Sequence, residues 1–214
     1  MGRWAGLLDT PYPLSIIAER GEPAVEHQVK EILDDLRFIQ DRFFTRSTGE
    51  LVLLADRVAN TFRSQGQLLV FGTGPSNLIA RILVDALVHR VAANRPPLAA
   101  VALGTDAALM SGIAEESSLD EVLARQLAAQ ARKGDMVIAF SKDGNSPACT
   151  KALVAAREAN LPTAAFLGRD GGTMKSYADH ALVVEAEHPA RVHEVHLAAA
   201  QILAQLIERK LFPL

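Results

Sequence analysis

The stretch Gln67-Leu68-Leu69-Val70-Phe71-Gly72-Thr73-Gly74-Pro75-Ser76 decides the fold of this 214-residue chain. Four consecutive apolar residues without alternation read as a strand buried on both faces, the kind found in parallel sheets covered by helices. The glycines after it permit a sharp turn, and Pro75 suits the first turn of a helix, where its missing N–H costs nothing. Further short apolar runs lie at 98–103, 135–140, 162–167 and 180–185. Helical patterns separate them at 76–92, 106–113, 118–132, 147–159 and, briefly, 173–178, and a last helix covers 190–210. Ser118-x-x-Glu121 reads as a capping box and Pro147 as a first helical residue. Strands alternating with helices predict an α/β domain around a parallel sheet.

Upstream of residue 66 no strand pattern occurs. Residues 1–13 read as an irregular lead containing Pro11 and Pro13. From Pro23 to Phe44, Val25, Val29, Ile32, Leu33, Leu36, Ile39, Phe43 and Phe44 recur at helical spacing. Ser47-Thr48-Gly49-Glu50 fits a capping box that opens a second helix reaching about Ser64. The expected organisation is a helical segment over 1–65 and an α/β domain over 66–214. Two helices cannot bury such long apolar faces on themselves, so residues 23–65 are expected to assemble the chain into an oligomer.

Composition narrows the function. With 22 basic and 25 acidic residues and a net charge of -3, the chain lacks the basic excess of a dedicated nucleic-acid binder. The single Cys149 excludes an internal disulfide and a thiolate zinc cluster. No run reaches the roughly 20 apolar residues of a membrane span. The start Met1-Gly2-Arg3-Trp4-Ala5-Gly6 lacks a signal-peptide core. A cytoplasmic protein without membrane or direct nucleic-acid contact is expected.

In such sheets ligands sit beyond the carboxyl ends of strands at a topological switch point. Two loops stand there. In Gly72-Thr73-Gly74-Pro75-Ser76, backbone amides and a helix N-terminus can face an anion. In Ser141-Lys142-Asp143-Gly144-Asn145-Ser146-Pro147, hydroxyls, a lysine and another helix start make a phosphate cradle. Gly74, Ser76, Ser141, Lys142, Asp143, Gly144, Asn145 and Ser146 are therefore the candidate binding residues for a phosphate or other small anion, which the resemblance described next narrows to a sugar phosphate.

Taken together, these stretches resemble the sugar isomerase (SIS) domain, in the branch of phosphoheptose isomerase and the DnaA initiator-associating protein. The likeness is carried by Gly72 to Ser76, Ala102-Leu103-Gly104-Thr105-Asp106, Lys133-Gly134-Asp135 with Ser141 to Ser146, Leu167-Gly168-Arg169-Asp170-Gly171-Gly172 and Ala190-Arg191-Val192-His193-Glu194-Val195-His196. It implies a three-layer sandwich with a five-stranded parallel sheet, doubly wound in the flavodoxin manner, and two N-terminal helices used for assembly, commonly into a homotetramer. It further implies phosphosugar binding by the S-x-x-G-N-S loop and, in the isomerases, a zinc-assisted proton shift on sedoheptulose 7-phosphate. In the initiator-associating branch the partner is a replication initiator, with DNA reached only indirectly. The tail Leu211-Phe212-Pro213 resembles that branch, which makes Leu211 and Phe212 candidate partner contacts.

The catalytic set implied by the resemblance is damaged. The metal-ligand His expected six residues after Ser76 is Ile82, and the basic Glu expected ten residues after it is Ala86. In the last helix the expected Gln and His are exchanged, as His193 and Gln201, and an expected acid is Ala190. Isomerisation needs a base and a group that stabilises the enediolate. No catalytic residue and no cofactor are therefore expected. Asp85 and His89, at i, i+4, with His193 and His196, at i, i+3, offer a displaced zinc site; the plainer alternative is a solvated helix pair and a satisfied helix residue. An active phosphosugar isomerase with relocated groups remains the rival, with Glu194, His193 or Asp106 as base and Lys142 or His196 stabilising charge. In the loop, Asp143 repels a phosphate unless Lys142 compensates, and Pro75 removes one amide donor.

Overall fold

The structure, a computed structural model, describes residues 22–92 and 94–213. Helix α1 (Glu22–Arg63) is followed by β1 (Leu68–Gly72), α2 (Pro75–Val88), β2 (Ala100–Ala102), α3 (Ala107–Glu116) and a 3-10 turn (Leu119–Glu121). Then come α4 (Val122–Gln130), β3 (Met136–Ser141), α5 (Pro147–Glu158), β4 (Thr163–Gly168), a second 3-10 turn (Thr173–Ser176), β5 (His180–Val184) and α6 (Pro189–Leu211). The irregular lead predicted for residues 1–13 lies outside the described residues. No described helix is long and apolar enough to cross a membrane.

The five strands form one parallel sheet in the order β2-β1-β3-β4-β5, the doubly wound arrangement expected. Its strand order reverses between β1 and β3, whose carboxyl ends therefore flank a ligand-binding crevice. Alternation along each strand sorts side chains into two cores. Leu68, Val70, Ile138, Phe140, Ala164 and Phe166 point to the face covered by α1, α2 and α6, where they meet Leu54, Val58, Leu83, Val195 and Leu203. Leu69, Phe71, Val137, Ala139, Ala165 and Leu167 point to the opposite face and meet Leu123, Leu127, Ala152 and Leu153. Both faces are dry, which accounts for strands that show no polar alternation in sequence.

The N-terminal region corrects the expectation of two helices. Helix α1 runs uninterrupted for 42 residues, with Ser47-Thr48-Gly49-Glu50 inside it. The Thr48 hydroxyl does not cap a new helix but donates to the Phe44 carbonyl one turn back, at 2.6 Å. The apolar spacing decides this, because Phe43, Leu51, Leu54, Ala55 and Val58 continue one stripe into the core. The described residues fall into two compact units, one ending at Phe38 and the other beginning at Ile39, so the division lies inside α1. In the first unit Val25, Val29, Ile32 and Leu33 are exposed. Ser118 makes no capping bond with its side chain, and Glu121 pairs with Lys151 instead of completing a capping box.

Candidate functional site

The site grows from the two loops beyond β1 and β3. Gly74 ends the first with φ +55°, a conformation favourable to glycine, and thereby turns the chain into α2 at Pro75. This places Ser76, 2% exposed, in the first turn of α2. The second loop is held from outside. Gly144, at φ +70°, lies so close to the backbone of Gly171 that a side chain would collide with it, and its carbonyl accepts the Met174 N–H at 2.9 Å. Asn145 Oδ1 accepts from the Thr173 amide and hydroxyl at 3.1 and 3.2 Å. The Gly168–Gly172 stretch thus supports the anion loop, which is a reason for its glycines that spacing alone does not reveal.

The loops face each other across a cavity of about 340 Å³ lined by Ser76, Ser141, Lys142, Asp143, Asn145 and Ser146, together with Thr73 and Gly74. Thr73 Oγ1 approaches Ser146 Oγ at 3.3 Å, and Ser146 caps α5 by accepting the Cys149 N–H at 3.4 Å. The structure therefore brings together the candidate binding residues of both loops except Gly144, which does not line the cavity and serves the loop's own bonding instead. Two of the loop amides are committed internally. Ser141 Oγ accepts the Gly144 N–H at 3.0 Å, and Asp143 Oδ1 accepts the Asn145 N–H at 3.0 Å while lying 3.4 Å from the Ser141 hydroxyl. Asp143 acts as an internal anion in the cradle, leaving Lys142 and the hydroxyls of Ser76 and Ser146 to receive a ligand. Beneath the loop, Cys149 is fully buried, and burial pushes its thiol pKa up to about 11, so it is no nucleophile.

His193, on α6, places Nε2 3.4 Å from Ser76 Oγ. Burial, with a smaller contribution from the Lys142 ammonium, holds its pKa below the ordinary histidine value, so the ring is neutral at neutral pH. His196, one turn on, is fully buried and packed edge-on against Phe140 and Phe166. Burial pushes its pKa down to about 3, against a smaller opposing effect of the Leu167 backbone.

The other candidates are used elsewhere. Glu194 is gripped by Arg191, with Nε–Oε2 at 2.9 Å and a second contact to Oε1 at 3.1 Å. Asp106 caps α3 by accepting the Leu109 N–H at 3.0 Å and does not line the anion cavity. Asp85 and His89 are exposed. Asp85 stands nine residues beyond Ser76, about 13 Å along α2 at ~1.5 Å per residue. The proposed quartet Asp85, His89, His193 and His196 is not brought together, and among the described residues no three His, Cys, Asp or Glu side chains converge on a metal position. Ile82 is 36% exposed and Ala86 is 8% exposed; neither side chain carries a ligating atom. Among the described residues, the side chains at these positions do not fit the zinc ion that the resemblance implies. Leu211 and Phe212 pack, partly buried, against the chain's own core, and the Phe212 ring lies 5.7 Å from the Arg95 guanidinium.

Sequence reasoning missed Arg95. Its guanidinium donates to the carbonyls of Ala86 and Leu87 at the end of α2 and pairs with Glu208 of α6 at 2.7 Å. No spacing signal connects residues 113 positions apart.

Comparison with known proteins agrees with this architecture. Residues 32–168 match the SIS domain family. The phosphoheptose isomerase of Trichlorobacter lovleyi is 37% identical over 183 residues, 86% of this chain and 93% of that protein. The phosphoheptose isomerase structure from Neisseria gonorrhoeae superposes with a TM-score of 0.81 at 25% identity, over 86% of this chain and 98% of the other. That from Francisella tularensis gives 0.83 at 21% identity, with the same shares covered. The sheet order, the loops beyond β1 and β3 and these similarities lead to one conclusion: the chain belongs to the SIS domain family, among the phosphoheptose isomerases.

Proposed function

We propose that this protein binds a sugar phosphate between the loops beyond β1 and β3 and acts as a regulatory binding protein, without zinc-dependent isomerisation. One juxtaposition carries the reading. The cavity is lined by Ser76, Ser141, Lys142 and Ser146 at two helix N-termini, while α2 presents Ile82 and Ala86 where metal ligation and proton removal would be required. Asp143 is the carboxylate among the cavity's lining residues, and it is engaged by the loop itself. A neutral His193 can accept a hydrogen bond or proton, but no partner base stands on the opposite side of a bound sugar among those lining residues.

Assembly into a homotetramer belongs to the same proposal. Val25, Val29, Ile32 and Leu33 follow helical spacing, and this exposed stripe suits burial against further copies of α1. A monomer in sedimentation at micromolar concentration refutes it. Association with a replication initiator, in the cytoplasm, is the remaining part, and a pull-down at micromolar concentration that recovers no initiator refutes that.

The rival reading, an active sedoheptulose 7-phosphate isomerase, is favoured by the 37% identity to a protein named phosphoheptose isomerase. Titration calorimetry and a turnover assay with sedoheptulose 7-phosphate, with and without added zinc, separate the two. Binding that is weakened by Ser146→Ala and Lys142→Ala, with no turnover, is expected. Turnover abolished by Glu194→Gln overturns the non-catalytic reading, and failure to bind any phosphate overturns the anion site.

A further inference from the structure

We propose that the body of the sugar phosphate is an uncharged polyol, held in a chamber beside the anion cavity by hydrogen bonds from its hydroxyls to Asn77 Oδ1 and the Asp120 carboxylate. The same two acceptors disfavour a body that carries a second acid group. The inference rests on the anion-binding reading above and concerns the part of the ligand beyond its phosphate. The chamber measures about 500 Å³ and lies between the loop beyond β1, the start of α5 and the 3-10 turn before α4. It shares Thr73, Gly74, Ser146 and Pro147 with the anion cavity, so a single ligand can reach both.

Apart from the shared Thr73 and Ser146, the polar side chains of its wall are Asn77 and Asp120, and both offer acceptors. Asn77 Nδ2 donates to the Gly104 carbonyl at 2.8 Å, which fixes the amide and leaves Oδ1 as its unused half. That oxygen is shielded from solvent and has no hydrogen-bond partner among the described residues. It has given up water without replacement, so a hydroxyl that donates to it is favoured. Asp120 is half-buried, and among the described residues no hydrogen bond or ion pair holds its carboxylate. The neighbouring Lys151 is held by Glu121 and does not line the chamber. No basic side chain lines it, since Lys142 belongs to the anion cavity alone. An entering carboxylate therefore meets Asp120 with no cation between them, whereas a hydroxyl finds an acceptor. Leu78, Met110, Leu119 and Leu123 supply apolar surface for the C–H faces of the polyol.

The chamber is also a fixed feature of the fold. Gly104, beyond β2, forms part of its wall at φ +71° and is clamped on both sides. Besides the Asn77 bond to its carbonyl, its N–H donates to Gln126 Oε1 at 2.9 Å. The clamp that holds the β2 loop therefore also sets the orientation of the Asn77 amide.

Calorimetry on the full chain with inorganic phosphate, glucitol 6-phosphate, 6-phosphogluconate and hexyl phosphate tests the proposal. Phosphogluconate differs from glucitol 6-phosphate by a carboxylate in place of a hydroxymethyl group, and hexyl phosphate has the same carbon count without hydroxyls. Glucitol 6-phosphate is expected to bind about tenfold tighter than each of the other three. Asp120→Asn is expected to reduce its advantage over phosphogluconate to about twofold, and Asn77→Ala to reduce its advantage over hexyl phosphate to the same extent. The inference is overturned if glucitol 6-phosphate binds no tighter than any one of the three. It is equally overturned if the first advantage survives Asp120→Asn or the second survives a folded Asn77→Ala. Asp120 holds no other part of the chain, so its variant decides the matter if Asn77→Ala releases the Gly104 loop and fails to fold. In each overturning case a phosphate is still bound and the anion site stands. If none of the four binds, the anion-binding reading falls together with the inference.

Discussion

The two ends of the α2–α6 pair contrast sharply, although the same helices build both. At the carboxyl end, Arg95 and Glu208 form an ion pair whose side chains are 1% and 7% exposed. Arg95 also takes up the carbonyls that end α2, Glu208 accepts the N–H groups of Val91 and Ala92, and Phe212 lies over the guanidinium. At the amino end, Ser76 and His193 meet at 3.4 Å beside an open cavity whose hydroxyls and lysine face a space of about 340 Å³. Orphan carbonyls at one helix end are answered by a side chain of the same protein; at the other, hydroxyls and a lysine line an open cavity.

The largest effect that could break this contrast lies at the closed end. Arg95→Ala leaves Glu208 buried without its cation and is expected to cost about 3–5 kcal/mol in urea denaturation. Ser76→Ala at the open end is expected to cost no more than about 1 kcal/mol. Equal losses would show that the two ends are not different in kind.

A smaller, pH-dependent effect comes from His196, between the two ends. Its folded-state pKa of about 3 lies below the unfolded value near 6.5, so the unfolded chain binds the proton more readily. The stability from keeping this ring neutral is full above about pH 6.5 and is lost progressively as pH falls toward 3. His196→Leu should remove that component, and its denaturation midpoint should fall less than the parent's between pH 7 and pH 4. Identical slopes for the two proteins would sink the idea.

The smallest expected effect sharpens the open end. Asp143→Ser frees the Asn145 amide and removes a carboxylate from the cradle, and inorganic phosphate affinity should rise about tenfold, as expected for removing a like charge within ~4–6 Å. Unchanged affinity in calorimetry would mean that Asp143 does not compete for those donors.

Much of the fold was legible because it is written in local pattern. Unbroken apolar runs such as Leu68–Phe71 mark strands buried on both faces, and Pro75 and Pro147 stand at real helix starts. The 1–65 region misled for the opposite reason. Ser47-Thr48-Gly49-Glu50 carries a local start signal worth about 1 kcal/mol. Burial of Phe43, Leu51, Leu54 and Val58 along one continuous stripe outweighs it. At the site, the two loops were found from their glycines, serines and adjoining strands. Glu194 and Asp106 had equally suitable chemistry on paper, yet Arg191 and the amide of Leu109 already hold them.

The sequence by itself determined where the five strands fall, that the sheet is parallel, and that the loops beginning at Gly72 and Ser141 flank the switch point at its carboxyl edge. It also determined that Ile82 and Ala86 cannot ligate or remove a proton, since no folding changes what a side chain carries. Tertiary structure alone decided that α1 is one helix, that Asp143 occupies its own loop's donors, that Gly104 is clamped by Asn77 and Gln126, and that Arg95 closes the far end of α2. These pairings join residues brought together by the crossing of helices over a sheet or by a turn, and their energy depends on burial and direction, which spacing along a chain does not encode.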